Sequence, residues 1–175
     1  SRSGLMFNNT LYADKSGDVF YVDSSNVPDL PASALQFLAK NAQAEQVFQQ
    51  TGTAVLPGHN SEFYFTADIP FQRSPQLQRR DFVQNSNNSY WLSNPSAALS
   101  GFSPLFGPVQ TAQSLRSRYS LSLLATAGGS DGKFNQREVE YALLANGAYA
   151  SQFQPELLSL CRQWHGKMLT RSEEH

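Results

Sequence analysis

The stretch Asn9-Thr10-Leu11-Tyr12-Ala13-Asp14-Lys15-Ser16-Gly17-Asp18-Val19-Phe20-Tyr21 sets aromatic and β-branched runs on either side of a polar tetrapeptide. Gly17 can adopt the positive φ of a tight reversal, and Asp14 and Asp18 are turn-forming residues flanking it. Leu5–Tyr12 and Val19–Asp23 are therefore expected to pair as a β-hairpin. Pro28 and Pro31 end the strand pattern.

Outward from the hairpin, Leu35, Leu38, Ala42 and Val47 approach a 3.6-residue period, which predicts one helix over Ala32–Gln50 stopped by Gly52. Gly52–Pro75 reads as irregular around the aromatic patch Phe63-Tyr64-Phe65. Asp81–Ser86 is again strand-like and runs into the polar cluster Asn85-Ser86-Asn87-Asn88-Ser89, then Tyr90-Trp91-Leu92. Residues 93–108 carry three prolines and two glycines and read as a loop. Beyond them the pattern turns helical. Thr111–Thr126 forms one helix, and Ser130–Lys133 a turn. Asn135 with Glu138 makes a capping box ahead of a helix stopped at Gly147. Pro155 opens a last helix whose apolar stripe holds Leu157, Leu158, Cys161, Trp164 and Met168, before a frayed tail from Thr170. The fold class is α+β, with strands and loops over about 5–108 and helices over about 109–170 of a single domain, 1–175.

Composition narrows the function. The 175 residues are 40% hydrophobic and 12% aromatic, enough to pack a core and too apolar for a wholly disordered chain. Thirteen Lys and Arg against 14 Asp and Glu leave a net charge of −1, so no broad basic face for nucleic acid is expected. No apolar run approaches the ~20 residues of a membrane span. The opening Ser1-Arg2-Ser3-Gly4 has neither a basic nor an apolar signal region, so any export information is expected upstream. The lone Cys161 forms no internal disulfide, and its place on an apolar stripe reads as a small buried hydrophobe. His59, His165 and His175 show no metal-ligand spacing.

No Gly-x-Ser-x-Gly elbow or nucleophile–base pair is visible in the sequence. Asp14 and Asp18 lack the further oxygens of a calcium loop, and Gly128-Gly129 lacks phosphate-loop context. The unusual feature is Asn85–Asn88, directly after the expected strand. Its amides need matched partners if buried. Two readings stand: a turn in which Asn side chains mimic backbone bonds, or a carboxamide held at a strand end to donate to an oxyanion.

Together with the hairpin, Arg80-Asp81-Phe82-Val83-Gln84-Asn85-Ser86-Asn87-Asn88-Ser89-Tyr90-Trp91-Leu92-Ser93-Asn94-Pro95 resembles the penicillin acylase family, with Val27-Pro28 at the family's distance. Trp91–Pro95, Gly101-Phe102 and Gly107-Pro108 resemble its acyl-homoserine lactone and aculeacin acylase branch. Ser114-Leu115-Arg116-Ser117-Arg118 and Phe134-Asn135 to Cys161 follow its helical stretch, so the likeness runs from Leu5 to Cys161. The resemblance implies an N-terminal-nucleophile hydrolase, an αββα sandwich made by a self-cleaving precursor. A serine at the β-chain terminus attacks an amide, with its own α-amino group as base. It further implies that Asn87, the second Asn of Asn-x-Asn, donates to the oxyanion, and that Arg116 (Arg118 less so) helps orient it.

Ser1 departs from that pattern, being followed by Arg2-Ser3-Gly4 with Asp23 where the family has a histidine some twenty residues on, so it is expected to be a scar and not the nucleophile. Asn146 lacks the family's neighbouring arginine. The family's calcium-ligating Asp is unmatched in Asn94-Pro95-Ser96-Ala97-Ala98, so no cofactor is expected here; calcium would belong to the parent enzyme. The resemblance thus implies an internal piece of a β-subunit, inactive alone. Its partners would be the remaining α- and β-subunit regions and a small acyl-amide substrate, in a periplasmic or secreted parent. Exposed edges would favour self-association of the fragment. A non-catalytic binding or scaffold domain, or an independently folded antibiotic amidase, stands as the alternative.

Overall fold

The hairpin forms where its turn chemistry puts it. Strands β1 (Asn9–Ala13) and β2 (Val19–Asp23) pair antiparallel from Asn9↔Asp23 to Ala13↔Val19. Asp14 Oδ1 accepts from the N–H groups of Ser16 (2.8 Å) and Asp18 (3.1 Å), while Gly17 takes a φ of 82°. These backbone donors hold the Asp14 carboxyl below its ordinary pKa. The computed structural model describes residues 7–125, 131–144 and 147–164. Expectations for Ser1, Leu5, Thr126, Gly128-Gly129, Ser130, Asn146, Met168 and the tail lie outside them. The chain divides into two compact units, Ser1–Ala112 and Gln113–His175, and is mixed α and β, with one small antiparallel sheet and five helices among the described residues.

The third strand is β3 (Gln76–Arg79), not Asp81–Ser86. Its register on β2 runs from Val22↔Gln76 to Val19↔Arg79. Val19 is the first residue of β2, so anything beyond Arg79 faces the hairpin turn and finds no ladder to join. The strand-like pattern of 81–86 is real, but the partner has ended.

The expected single helix is two, α1 (Ala32–Lys40) and α2 (Ala42–Thr51). Asn41 breaks it: extended at φ −88°, it donates its N–H to Phe37 O and accepts the Ala44 N–H on Oδ1 at 3.0 Å. An Asn able to cap the next helix competes with helix continuation at that point. Gly52, at φ 70°, ends α2 as expected.

Two apolar clusters organise this unit. Leu30, Ala34, Leu38, Ala44 and Phe63 join α1 and α2 to the aromatic patch. Tyr21, Val27, Ile69, Tyr90 and Phe106 form the other, flanked by Leu77, Val83 and Phe102. Residues 93–108 are irregular, as expected, with short 3₁₀ turns at Pro95–Ala97 and Pro104–Phe106. They are nevertheless packed, for Phe102 and Phe106 meet the Tyr90 ring edge-on at centroid distances of 5.4 and 6.4 Å. Gly107 closes that loop at φ 122°, where a Cβ would lie 3.0 Å from the Ser89 side chain.

The second unit holds α3 (Leu115–Ala125), α4 (Gln136–Leu144) and α5 (Gln154–Trp164). The capping box is present: Asn135 N–H donates to Glu138 Oε2 (2.8 Å) and Glu138 N–H to Asn135 Oδ1 (3.1 Å). Cys161 is exposed, against the expectation of burial, as are Leu157, Leu158 and Trp164 beside it. The stripe has helical spacing, but no described element covers it. Among the described residues no helix is long and apolar enough to cross a membrane.

Candidate functional site

Residues 81–96 form a loop whose two limbs are tied at the base. Gln84 donates its N–H to Ser93 O (2.8 Å) and its Nε2 to Leu92 O (2.6 Å). Asn94, fully buried, donates Nδ2 to Phe82 O (2.8 Å) and Asp81 Oδ2 (3.1 Å), and its Oδ1 caps the following 3₁₀ turn through Ser96 N–H (2.8 Å). Every polar atom of that buried amide is thus engaged, as burial demands. Asp81 also receives Arg79 Nε (2.9 Å) and Nη2 (2.8 Å). The guanidinium, aided by the Phe82 N–H and the Asn94 amide, holds the Asp81 carboxyl well below the usual carboxylate range.

At the loop's far end lies the Asn cluster, and its amides do different things. Asn85 builds the turn: Oδ1 accepts from Asn87 N–H (2.8 Å) and Nδ2 donates to Asn88 O (3.0 Å). That is the backbone-mimicking reading, seen for Asn85. Asn87 has a left-handed φ of 63°, one of two positive-φ non-glycine residues among those described. Asn tolerates this region better than most residues, at a cost of about 1 kcal/mol. Its side chain is exposed, and among the described residues its carboxamide has no hydrogen-bond partner. The strand expected before it is absent, so the turn is carried by the tied limbs and not by a sheet ladder.

Tyr21 of β2 connects this loop to the hairpin. It is wholly buried, and its hydroxyl donates to Asn9 Oδ1 at 2.6 Å. Burial pushes the phenol pKa up, with the nearby Asp23 adding to it; the Ser93 and Asn85 side chains face the same hydroxyl and oppose the shift. Asp23 is itself buried, and burial raises its pKa despite the Ser25 donors.

Arg116 stands in the first turn of α3, in the second unit, and is exposed. Ser114 caps that turn by accepting Ser117 N–H at 3.1 Å. A separate apolar cleft of about 510 Å³, lined by Val27, Leu30, Leu56, Phe63 and Leu105, does not include Asn87. The segment matched to the family's calcium position offers Ala97-Ala98 and an Asn94 amide already committed, so these residues do not fit a calcium ion.

Reading the sequence did not find Asn9, Tyr21, Arg79 or Asn94 as parts of this site. Asn94-Pro95 does carry a local capping signal. The partners of a buried Tyr hydroxyl leave none.

Residues 1–174 match the sequence profile of the penicillin amidase family. The chain belongs to that family. It is 33% identical over 177 residues to Acyl-homoserine lactone acylase PvdQ of Pseudomonas savastanoi pv. phaseolicola, covering 96% of this chain and 22% of the relative. The Pseudomonas syringae pv. syringae protein of the same name is 34% identical over 167 residues, covering 90% and 20%. Aculeacin-A acylase of Actinoplanes utahensis is 32% identical over 169 residues, covering 89% and 21%. This penicillin amidase segment therefore spans about a fifth of the length of the curated relatives it matches.

Proposed function

We propose that the chain is an internal segment of the β-subunit of an N-terminal-nucleophile amidohydrolase that cleaves fatty-acyl amides such as acyl-homoserine lactones. In this reading its sheet is part of an αββα sandwich completed by other α- and β-subunit regions. The parent protein is a self-cleaving precursor that works in the periplasm or outside the cell. Membership of the penicillin amidase family, and relatives named as acylases of these two kinds, support the reaction class.

The reaction begins when a serine hydroxyl, supplied by another part of the parent, attacks the amide carbonyl and passes its proton to an α-amino group. With a pKa near ~8, that amine is a suitable base at neutral pH. The carbonyl π pair moves onto oxygen, and Asn87 Nδ2–H donates to that oxyanion. As the intermediate collapses, the α-ammonium returns that proton to the departing nitrogen, the C–N bond breaks and the amine leaves; the remaining acyl ester is hydrolysed by water to the fatty acid and the free serine. The observation that carries this role is the division of labour in the turn: Asn85 uses both ends of its amide internally, while Asn87 is held in an uncommon backbone conformation with its amide uncommitted. An amide not committed to the turn keeps its N–H for the oxyanion, and a backbone fixed before the substrate arrives limits the reorganisation that this requires.

Arg116 is assigned a supporting role in orienting this region. The family likeness of Ser114–Arg118 supports this assignment, and Arg116 stands exposed in the first turn of α3.

The test is Asn87→Gly in the complete enzyme, since glycine keeps the left-handed turn and removes only the carboxamide. Its kcat on a long-chain acyl substrate is expected to fall by ~10²–10³ with little change in KM. The purified 175-residue chain serves as the blank and is expected to show no turnover above buffer. A fully active Asn87→Gly enzyme would remove Asn87 from the mechanism. Turnover by the isolated chain, abolished by Ser1→Ala, would make Ser1 the nucleophile after all.

A further inference from the structure

The Asn-Thr hairpin and the Asn-x-Asn turn are distant in sequence, yet the structure brings them to one hydroxyl. Tyr21 Oη donates to Asn9 Oδ1 at 2.6 Å, and the Asn85 side chain is near enough to that hydroxyl to oppose the upward shift of its pKa. The two bonds of Asn85 bracket residue 87. One grips the N–H entering Asn87 and the other the carbonyl of Asn88 just beyond it. The peptide unit entering Asn87 and the one leaving Asn88 are therefore both held by a single side chain.

We propose that Asn85 is a positioning residue, folding the turn that aims Asn87, and that Tyr21, held by Asn9, buttresses it from the sheet. This rests on the oxyanion role given to Asn87. Asn85 does not touch the reacting atoms; it acts through residue 87.

Side-chain chemistry makes position 85 demanding. It must accept at one end and donate at the other, at the reach of one methylene. Asp preserves the acceptor for Asn87 N–H but sets an oxygen against Asn88 O. Ala removes both bonds and frees residue 87 to leave the left-handed region, which is disfavoured for side-chain-bearing residues. Tyr21→Phe leaves Asn9 Oδ1 without its donor and takes away the hydroxyl facing Asn85. A misplacement of about 1 Å at an oxyanion donor can lower the rate ~10²-fold.

The experiment compares Asn85→Ala, Asn85→Asp, Tyr21→Phe and Asn87→Gly in the complete enzyme, with kcat expressed per active site by titration of the nucleophile. Expected are losses of roughly a hundredfold, tenfold and threefold for the first three, with KM unchanged within about twofold. Exchange of the Asn87 backbone amide should quicken in Asn85→Ala and stay slow in Asn85→Asp. A merely structural role would lower the yield of titratable sites and leave kcat per site intact, which overturns the proposal. If Asn87→Gly loses activity while Asn85→Ala and Asn85→Asp keep theirs, the positioning role fails and the oxyanion role stands. If Asn87→Gly is itself fully active, the underlying reading fails. Should Asn85→Ala not accumulate, Asn85→Asp alone decides, by its kcat per site.

Discussion

Tyr21, Tyr90, Ser93 and Asn94 in the first unit are all 2% exposed or less, whereas Tyr141, Leu143 and Leu144 on α4 of the second are 77%, 80% and 79% exposed. In the first unit even irregular chain is defined by bonds that cross a loop: Gln84 to Ser93 and Asn94 to Phe82. In the second, α4 and α5 bury no residue, and among the described residues the side-chain bonds of α4 span three or four positions, as at Asn135 and Glu138. The difference separates two kinds of order. A capped helix can be specified locally, but a loop held in one conformation without a sheet ladder needs buried partners on both limbs.

Asn94→Ala should give the largest effect on stability. It removes three side-chain bonds and strands a half-buried Phe82 carbonyl and a Ser96 N–H, for a loss of about 3 kcal/mol. The urea midpoint measures it, and a loss under about 1 kcal/mol would break the claim that buried polar bonds define the loop. Asn135→Ala acts on the capping box of α4 and should cost about 1 kcal/mol, read as reduced helical ellipticity with the first unit unaffected. Leu144→Ser comes last, with a shift in thermal midpoint corresponding to less than about 0.5 kcal/mol, because the side chain is already in water. A large loss there would show that the face is covered, and would erase the contrast between the units.

Much of the local architecture was legible beforehand. The hairpin, the Gly52 stop, the Asn135–Glu138 box and the irregular 93–108 loop all follow from residue types at close spacing. The errors share one cause. Asp81–Ser86 has strand character but faces a turn, and Asn41 breaks a helix because a cap was available. Cys161 sits on an apolar stripe that nothing described covers. Each depended on what lay opposite, which a periodicity cannot express.

For the candidate site the division is similar. The sequence alone determined that an Asn-rich turn follows Gln84, and its family likeness singled out Asn87 and Arg116. Only the tertiary structure decided that Asn85 is committed to the turn and Asn87 is not, and that Tyr21, bonded to Asn9, packs in one cluster with Tyr90. The physical reason is that turns and caps are set by bonds between near neighbours, whereas the partner of a buried hydroxyl or amide is chosen by the packing of distant segments.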